Sequence, residues 1–199
     1  MKLDRFAAAV SLALVVAAPV FSQESKPAPA APGSTQPTPA ADDGTDPAVK
    51  RNTGSYNLAK DKSKPAIEGY DPVAYFPEGG GKATKGTKTH SFTYRGVVYW
   101  FASQKNLDEF TKDPRKYEPA YGGWCAYAMG ATGEKVEIDP KSFTITDGQL
   151  FLFYKDLFTD TRSKWNKDTA NLHPKADKNW KKISGEDAPA KSESKPDKK

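Results

Sequence analysis

The chain has 199 residues and a formal net charge of +5, with 30 basic residues spread along its length. No basic stripe alternates with aromatic side chains, so the sequence predicts no nucleic-acid binding. Cys125 is the single cysteine, which excludes an intramolecular disulfide.

Residues 1–22 have the pattern of a secretory signal peptide. Lys2 and Arg5 precede a short apolar run, and small residues follow at the expected cleavage point. The run is too short to span a membrane, and no later segment reaches the ~18 apolar residues that a span requires. We therefore expect a periplasmic or secreted protein with no membrane span.

Three further segments differ in composition. Residues 23–54 form a Pro/Ala-rich linker, and residues 185–199 form a charged tail; both are predicted to be disordered because they hold too little apolar surface to offset ordering entropy. Residues 55–184 contain all 4 tryptophans and predict one globular domain.

The first half of this domain predicts a turn, a hairpin and a helix. Asp71-Pro72 is typical of a helix cap followed by proline at the first helical position. The glycine-rich stretch 79–86 lacks the spacing of a phosphate-binding loop and predicts a plain loop. Residues 90–102 predict a β-hairpin turning at Arg95-Gly96, and Ser103 is expected to cap the helix that follows.

The second half repeats these element types in another order. Residues 143–154 predict a hairpin that turns at Asp147-Gly148, and two amphipathic helical segments follow, the second with Pro174 near its start. Hairpins and short helices without regular βαβ alternation predict a small single α+β domain. The sequence shows no internal repeat.

The string YGGWCAYAM, residues 121–129, surrounds the lone cysteine. Its glycines break the chain and helix-forming residues follow, which predicts that Cys125 lies in the first turn of a helix. Unpaired N–H groups and the helix dipole favour a thiolate there, as a catalytic or metal-binding sulfur requires. The alternative is a small apolar residue of the core.

A soft-metal site is one interpretation of the neighbouring residues. Met129 lies four positions after Cys125 and shares a helical face with it, so these two sulfur atoms and an imidazole such as His90 would suit copper or zinc. The alternative places Met129 in the core and leaves His90 and His173 as hydrogen-bonded or surface residues. Three aromatic residues are candidates to line a pocket beside the thiol or to pack in the core: Tyr121, Trp124 and Tyr127.

Several strings together resemble exported YHS-domain proteins over residues 66–182: AIEGYDPVAYFPEGG, FTYRGVVYWFASQKNLDEFTKDPRKYEPAYGGWCAYAM, FTITDGQLFLFY and KADKNW. The resemblance implies a YHS-like fold and a link to metals. The resemblance also implies that cysteines occupy the positions of Ala74, Ala102 and Asn106 in metal-binding members, so the usual set of thiolate ligands is missing here. The chain looks like the branch that can carry selenocysteine at the position of Cys125, which implies that this atom reacts or binds a metal.

These patterns support two main hypotheses. The first is a single-thiol redox or soft-metal-handling module centred on Cys125, with a metal ion or a small thiol as its partner. The second is a non-catalytic ligand- or protein-binding module on a flexible tether. A carboxylate enzyme using Asp71 and Tyr70 is a third, and it competes with capping by Asp71 and packing by Tyr70.

Overall fold

The computed structural model describes residues 51–58 and 64–188, where it confirms the predicted small α+β fold. No helix among these residues is long and apolar enough to cross a membrane. The predicted signal peptide and most of the predicted linker and tail lie outside the described residues. The elements in chain order are β1 (Thr87–Tyr94), β2 (Val97–Phe101), α1 (Gln104–Lys112), α2 (Pro114–Tyr117), α3 (Ala126–Ala131), β3 (Asp139–Thr146), β4 (Gln149–Phe153), α4 (Thr161–Lys167) and α5 (Thr169–Ser184).

Both predicted hairpin turns are confirmed. Arg95 and Gly96 have φ values of 47° and 83°, and Asp147 and Gly148 have values of 51° and 73°. Positive φ at both turn positions gives the backbone twist that matches the right-handed twist of the flanking strands. The hairpins form two separate two-stranded antiparallel sheets, β1-β2 and β3-β4.

Strand β4 lies at the centre of the core and is buried along its whole length. Because successive side chains of a strand point to opposite faces, Leu150 and Leu152 join one apolar cluster while Phe151 and Phe153 join another. The first cluster surrounds the hairpin β1-β2 and α1; the second includes Trp165 of α4 and Trp180 of α5. One strand thus joins the two parts of the core.

The fold contains an internal structural duplication, although the sequence shows no internal repeat. Each residue of the second hairpin lies 52 positions after a counterpart in the first, from Asp139 after Thr87 to Phe153 after Phe101, with the β-bulge at the same place. Before each hairpin the backbone makes a turn of three consecutive left-handed residues, at 67–69 and at 121–123. We call these two segments the left-handed turns.

The second residue after each left-handed turn has the same place in the duplication. Asp71 donates its N–H to the carbonyl of Thr84 at 2.9 Å, and Cys125, 54 positions later, donates its N–H to the carbonyl of Val136 at 3.0 Å. Both side chains are fully buried. Asp71 and Cys125 are therefore structural counterparts.

Candidate functional site

Cys125 is the cap residue immediately before α3, one position earlier than a first-turn residue. Its side chain is fully buried, and its Sγ lies 3.4 Å from Oγ1 of Thr161. The single hydroxyl hydrogen of Thr161 is directed to the carbonyl of Tyr154 at 2.9 Å, so the thiol is the donor in the contact with Thr161. The sulfur is thus enclosed in the core with one polar contact, to the hydroxyl of Thr161.

The helix start does not contact this sulfur atom. The first turn of α3 directs no N–H to the Cys125 side chain, and α3 has only 6 residues. The N–H groups at the start of α3 therefore do not reach Sγ, which is turned toward Thr161 of α4 instead.

The three predicted metal ligands have different surroundings. The Cys125 carbonyl accepts the N–H of Met129 at 3.0 Å, but their side chains belong to different apolar clusters. His90 lies on β1, and its Nδ1 is 3.3 Å from Oγ1 of Thr87. Among the described residues, no group of three or more His, Cys, Asp or Glu side chains could hold a metal ion.

The three aromatic residues near Cys125 pack or form hydrogen bonds. Tyr121 is fully buried and its hydroxyl donates to Asp177 at 3.0 Å; burial first, and then the charge of Asp177, raise the pKa of Tyr121. Trp124 donates its indole N–H to the carbonyl of Ser55 at 2.6 Å. Tyr127 is half-buried against both clusters.

The positions that the family resemblance links to metal ligands meet at the carboxylate of Asp71. Its Oδ1 accepts the N–H groups of Val73 and Ala74 at 2.8 and 3.2 Å. Its Oδ2 accepts the N–H of Ala102 at 2.8 Å and the amide of Asn106 at 2.6 Å. We call these five residues the Asp71 hub.

The Asp71 hub does not fit a thiolate-bound metal. Ala74, Ala102 and Asn106 supply no thiolate, and each directs an N–H to the same carboxylate. A soft cation needs sulfur or imidazole donors, and this centre presents four hydrogen-bond donors to one carboxylate instead. The hub therefore closes the turn by hydrogen bonding, in agreement with the predicted capping role of Asp71.

A cavity of 590 Å³ lies beside the first left-handed turn and was not found from the sequence. Its apolar lining comes from Leu58, Pro65, Ile67, Trp100 and Ile138, and its charged lining from Lys64, Glu68, Lys85 and Glu137. Tyr121, Trp124 and Tyr127 are not among its lining residues. An apolar wall with a few charged groups is typical of a site for a small organic ligand.

The wall of this cavity contains backbone strain. Ile67 and Glu68 have φ values of 53° and 51°, and for β-branched Ile67 this conformation is a genuine outlier. Gly69 continues the turn at φ 80°, and a Cβ there would lie 3.2 Å from the ring of Trp100. Strain of this kind concentrates at functional sites. In the sequence, the Glu68-Gly69 pair in AIEGYDP is a local signal for it, because glycine readily adopts a left-handed backbone.

The fold and the Asp71 hub together define a small α+β domain built from two hairpin modules. The family model for the YHS domain matches residues 79–121, which run from the loop before β1 to the second left-handed turn. A YHS domain is thus present; Ala102 and Asn106 lie inside the matched range, whereas Ala74 and Cys125 lie outside it. No curated protein and no solved structure matches the chain.

Proposed function

We propose that this YHS-domain protein is a non-catalytic module that binds a small amphipathic organic molecule. The cavity beside Ile67, Glu68 and Gly69 supports this proposal, since it combines 590 Å³ of space with an indole wall, two lysines and two glutamates. The buried Cys125 and the hydrogen-bonded Asp71 hub offer no comparable opening.

The test uses 8-anilinonaphthalene-1-sulfonate, an amphipathic dye whose fluorescence rises in apolar sites. We expect saturable binding by the full chain and its loss in Leu58→Trp, which fills the cavity with a larger side chain. Leu157→Ser/Phe158→Ser, which alters exposed residues elsewhere, is the matched control and is expected to bind normally. Equal dye binding by Leu58→Trp and the wild type would exclude the cavity as the site.

The single-thiol redox or soft-metal function centred on Cys125 is the second proposal. It is supported by resemblance to the branch that can carry selenocysteine there, and it requires opening of the structure around the thiol. We expect 5,5′-dithiobis(2-nitrobenzoic acid) to react at least ~100-fold more slowly with the folded chain than with the urea-unfolded chain, since only an exposed thiolate reacts. Rapid reaction in the folded state, or Cu(I) or Zn(II) binding that is lost in Cys125→Ser, would favour the thiol function instead.

We further propose that the protein is exported, on the signal-peptide pattern of residues 1–22. A mature N-terminus near residue 23, determined by mass spectrometry of the protein from its native host, is the expected result. An N-terminus that retains residues 1–22 in the soluble fraction would contradict export.

A further inference from the structure

Comparison of the two hairpin modules isolates an inserted segment between β4 and α4. In the first module only Ala102 separates the end of β2 from the helix cap Ser103. In the second module the six residues 154–159 separate the end of β4 from the helix cap Asp160, an excess of five. We call residues 155–160 the finger loop.

Hydrogen bonds hold the finger loop in one shape. Oδ1 of Asp156 accepts the N–H groups of Phe158 and Thr159 at 2.9 and 2.7 Å, and Asp156 donates its own N–H to the carbonyl of Thr159 at 2.9 Å. Tyr154 donates its hydroxyl to Oδ2 of Asp156 at 2.7 Å, and an antiparallel bridge between Lys155 and Asp160 closes the base. The polar groups of the loop are thus largely satisfied internally.

The tip of this loop presents two apolar side chains to solvent. Leu157 is 93% exposed and Phe158 is 95% exposed, and they are the large exposed hydrophobic residues among the described residues. Neither contributes to the core, so their exposure has no explanation in folding. A preorganised apolar tip binds with little additional loss of conformational entropy.

The size and charge of this surface favour a lipid bilayer over a protein partner. Two side chains offer at most about 400 Å², less than the ~600 Å² that each partner contributes to even a small specific protein interface. Reversible membrane binding needs only a few inserted apolar groups and nearby basic residues. Lys155 is exposed in the loop, and Lys164 and Lys167 are exposed on α4. Of the acidic residues in this stretch, Asp156 is bonded within the turn, Asp160 pairs with Arg162 at 3.3 Å, and Asp168 is exposed at the end of α4.

We propose that the finger loop is a peripheral membrane anchor. Leu157 and Phe158 insert into the outer part of an anionic bilayer, and Lys155, Lys164 and Lys167 lie against the lipid phosphates. This surface is separate from the ligand cavity, so either proposal can fail without the other.

The test is co-sedimentation of the full chain with phosphatidylcholine vesicles, with and without phosphatidylglycerol. We expect binding to the mixed vesicles to fall about ten-fold or more in Leu157→Ser/Phe158→Ser, because two apolar side chains no longer enter the bilayer. Phe158→Trp is the matched control and should bind at least as well as the wild type, since tryptophan favours the membrane interface. Lys155→Glu/Lys164→Glu should weaken binding to the mixed vesicles and leave the weak binding to pure phosphatidylcholine unchanged.

All these substitutions are on the surface, so unchanged thermal midpoints verify the fold. Equal binding by Leu157→Ser/Phe158→Ser and the wild type would overturn the proposal, as would an absence of wild-type binding to the mixed vesicles. A wild-type dimer that this double variant converts to a monomer would also overturn it, since the occupant of the tip is then a second copy of the chain.

Discussion

At the scale of single residues, the carboxylate of Asp71 brings together the three positions at which the family resemblance implies metal ligands. Asp71 is fully buried, and each of its two carboxylate oxygens accepts two N–H donors. The hub therefore joins the segment after the first left-handed turn to the start of α1 by hydrogen bonding.

Replacement of Asp71 by asparagine is expected to lower the free energy of unfolding by about 2–4 kcal/mol. The asparagine amide has one acceptor oxygen where the carboxylate has two. Its NH₂ group is itself a donor, so it cannot accept hydrogen bonds from the N–H groups that face it. Urea denaturation of the full chain measures the change. Asp108→Asn, at an exposed position of α1, is the control and should cost less than about 0.5 kcal/mol. Equal stability of the two variants would contradict a central role for the hub.

Some features of Cys125 could be predicted from the sequence and others could not. Its place at the start of α3 was predictable to within one residue because Gly122, Gly123 and the helix formers that follow are local signals. Its burial and its bond to Thr161 were not, because the partner lies 36 residues further along the chain. The convergence on Asp71 likewise depends on Ala102 and Asn106, which are 31 and 35 residues away.

At the scale of elements, the left-handed turns set the path of the chain into each module. The second turn places Gly122 so close to its neighbours that a Cβ would lie 2.7 Å from the ring of Trp180. Gly81 has a similar φ of 68°, but a Cβ there would meet nothing within 4 Å. Replacement of Gly122 and of Gly81 by alanine therefore separates the free-energy cost of the left-handed backbone from the cost of a steric clash.

Gly122→Ala is therefore expected to destabilise the protein by about 3 kcal/mol or more, whereas Gly81→Ala should cost about 1 kcal/mol. Both variants force alanine into a left-handed conformation, and only Gly122→Ala also displaces the indole of Trp180. The measurement is the urea midpoint and slope of each variant. Equal costs for the two substitutions would show that the contact with Trp180 relaxes freely.

The link between the turn at Pro77–Gly79 and α2 should make stability depend on acid pH. Lys116 and Tyr117 both donate to Oε1 of Glu78. Burial alone would raise the pKa of Glu78, but these bonds and its own backbone N–H outweigh that effect and lower it. Stabilisation is thus complete above the unfolded-state pKa, about 4.3, and is lost as the pH falls through the lower folded-state pKa.

The expected result is that the stability difference between the wild type and Glu78→Gln is constant at neutral pH and narrows below about pH 4. Unfolding by urea at a series of pH values measures it. Glu134→Gln, in an exposed loop, provides the control for general charge effects. A difference that widens on acidification would have the wrong sign for a carboxylate with a lowered pKa.

The hairpins and helices were predictable because turn pairs such as Asp147-Gly148 and caps such as Ser103 are local. The duplication was not, because its two copies preserve backbone conformation rather than residue identity. Ile67 and Glu68 match Tyr121 and Gly122 in φ without matching in side chain. Only the structure shows that the same hydrogen bonds recur in both modules.

At the scale of the whole molecule, a buried ion pair joins segments that are distant in sequence. Arg51 binds both carboxylate oxygens of Glu118 at 2.6 and 3.0 Å, and its Nε lies 3.4 Å from Oε2 of Glu186. Tyr99 donates its hydroxyl to Glu118 at 2.9 Å. These contacts extend the packed domain outward from the predicted boundaries at 55 and 184, where composition alone predicted linker and tail.

The ionisation of Arg51 follows from this arrangement. Burial opposes its charge, but the attraction of Glu118 and the hydrogen bonds to it outweigh that effect and raise the pKa of Arg51. Arg51 therefore stays charged wherever the protein is folded. Removing it would leave Glu118, whose side chain is 5% exposed, without a cation.

Arg51→Met is expected to cost about 3–5 kcal/mol in unfolding free energy, since an unpaired buried charge is more costly than the pair is stabilising. The double variant Arg51→Met/Glu118→Gln should recover part of this loss, because it removes the stranded charge as well. A double-mutant cycle in urea separates the two effects. Lys112→Met, which breaks the exposed pair with Glu109, is the control and should cost less than about 1 kcal/mol. If Arg51→Met were no more costly than Lys112→Met, the ion pair would not be what fixes the residues before 55 and after 184 to the domain.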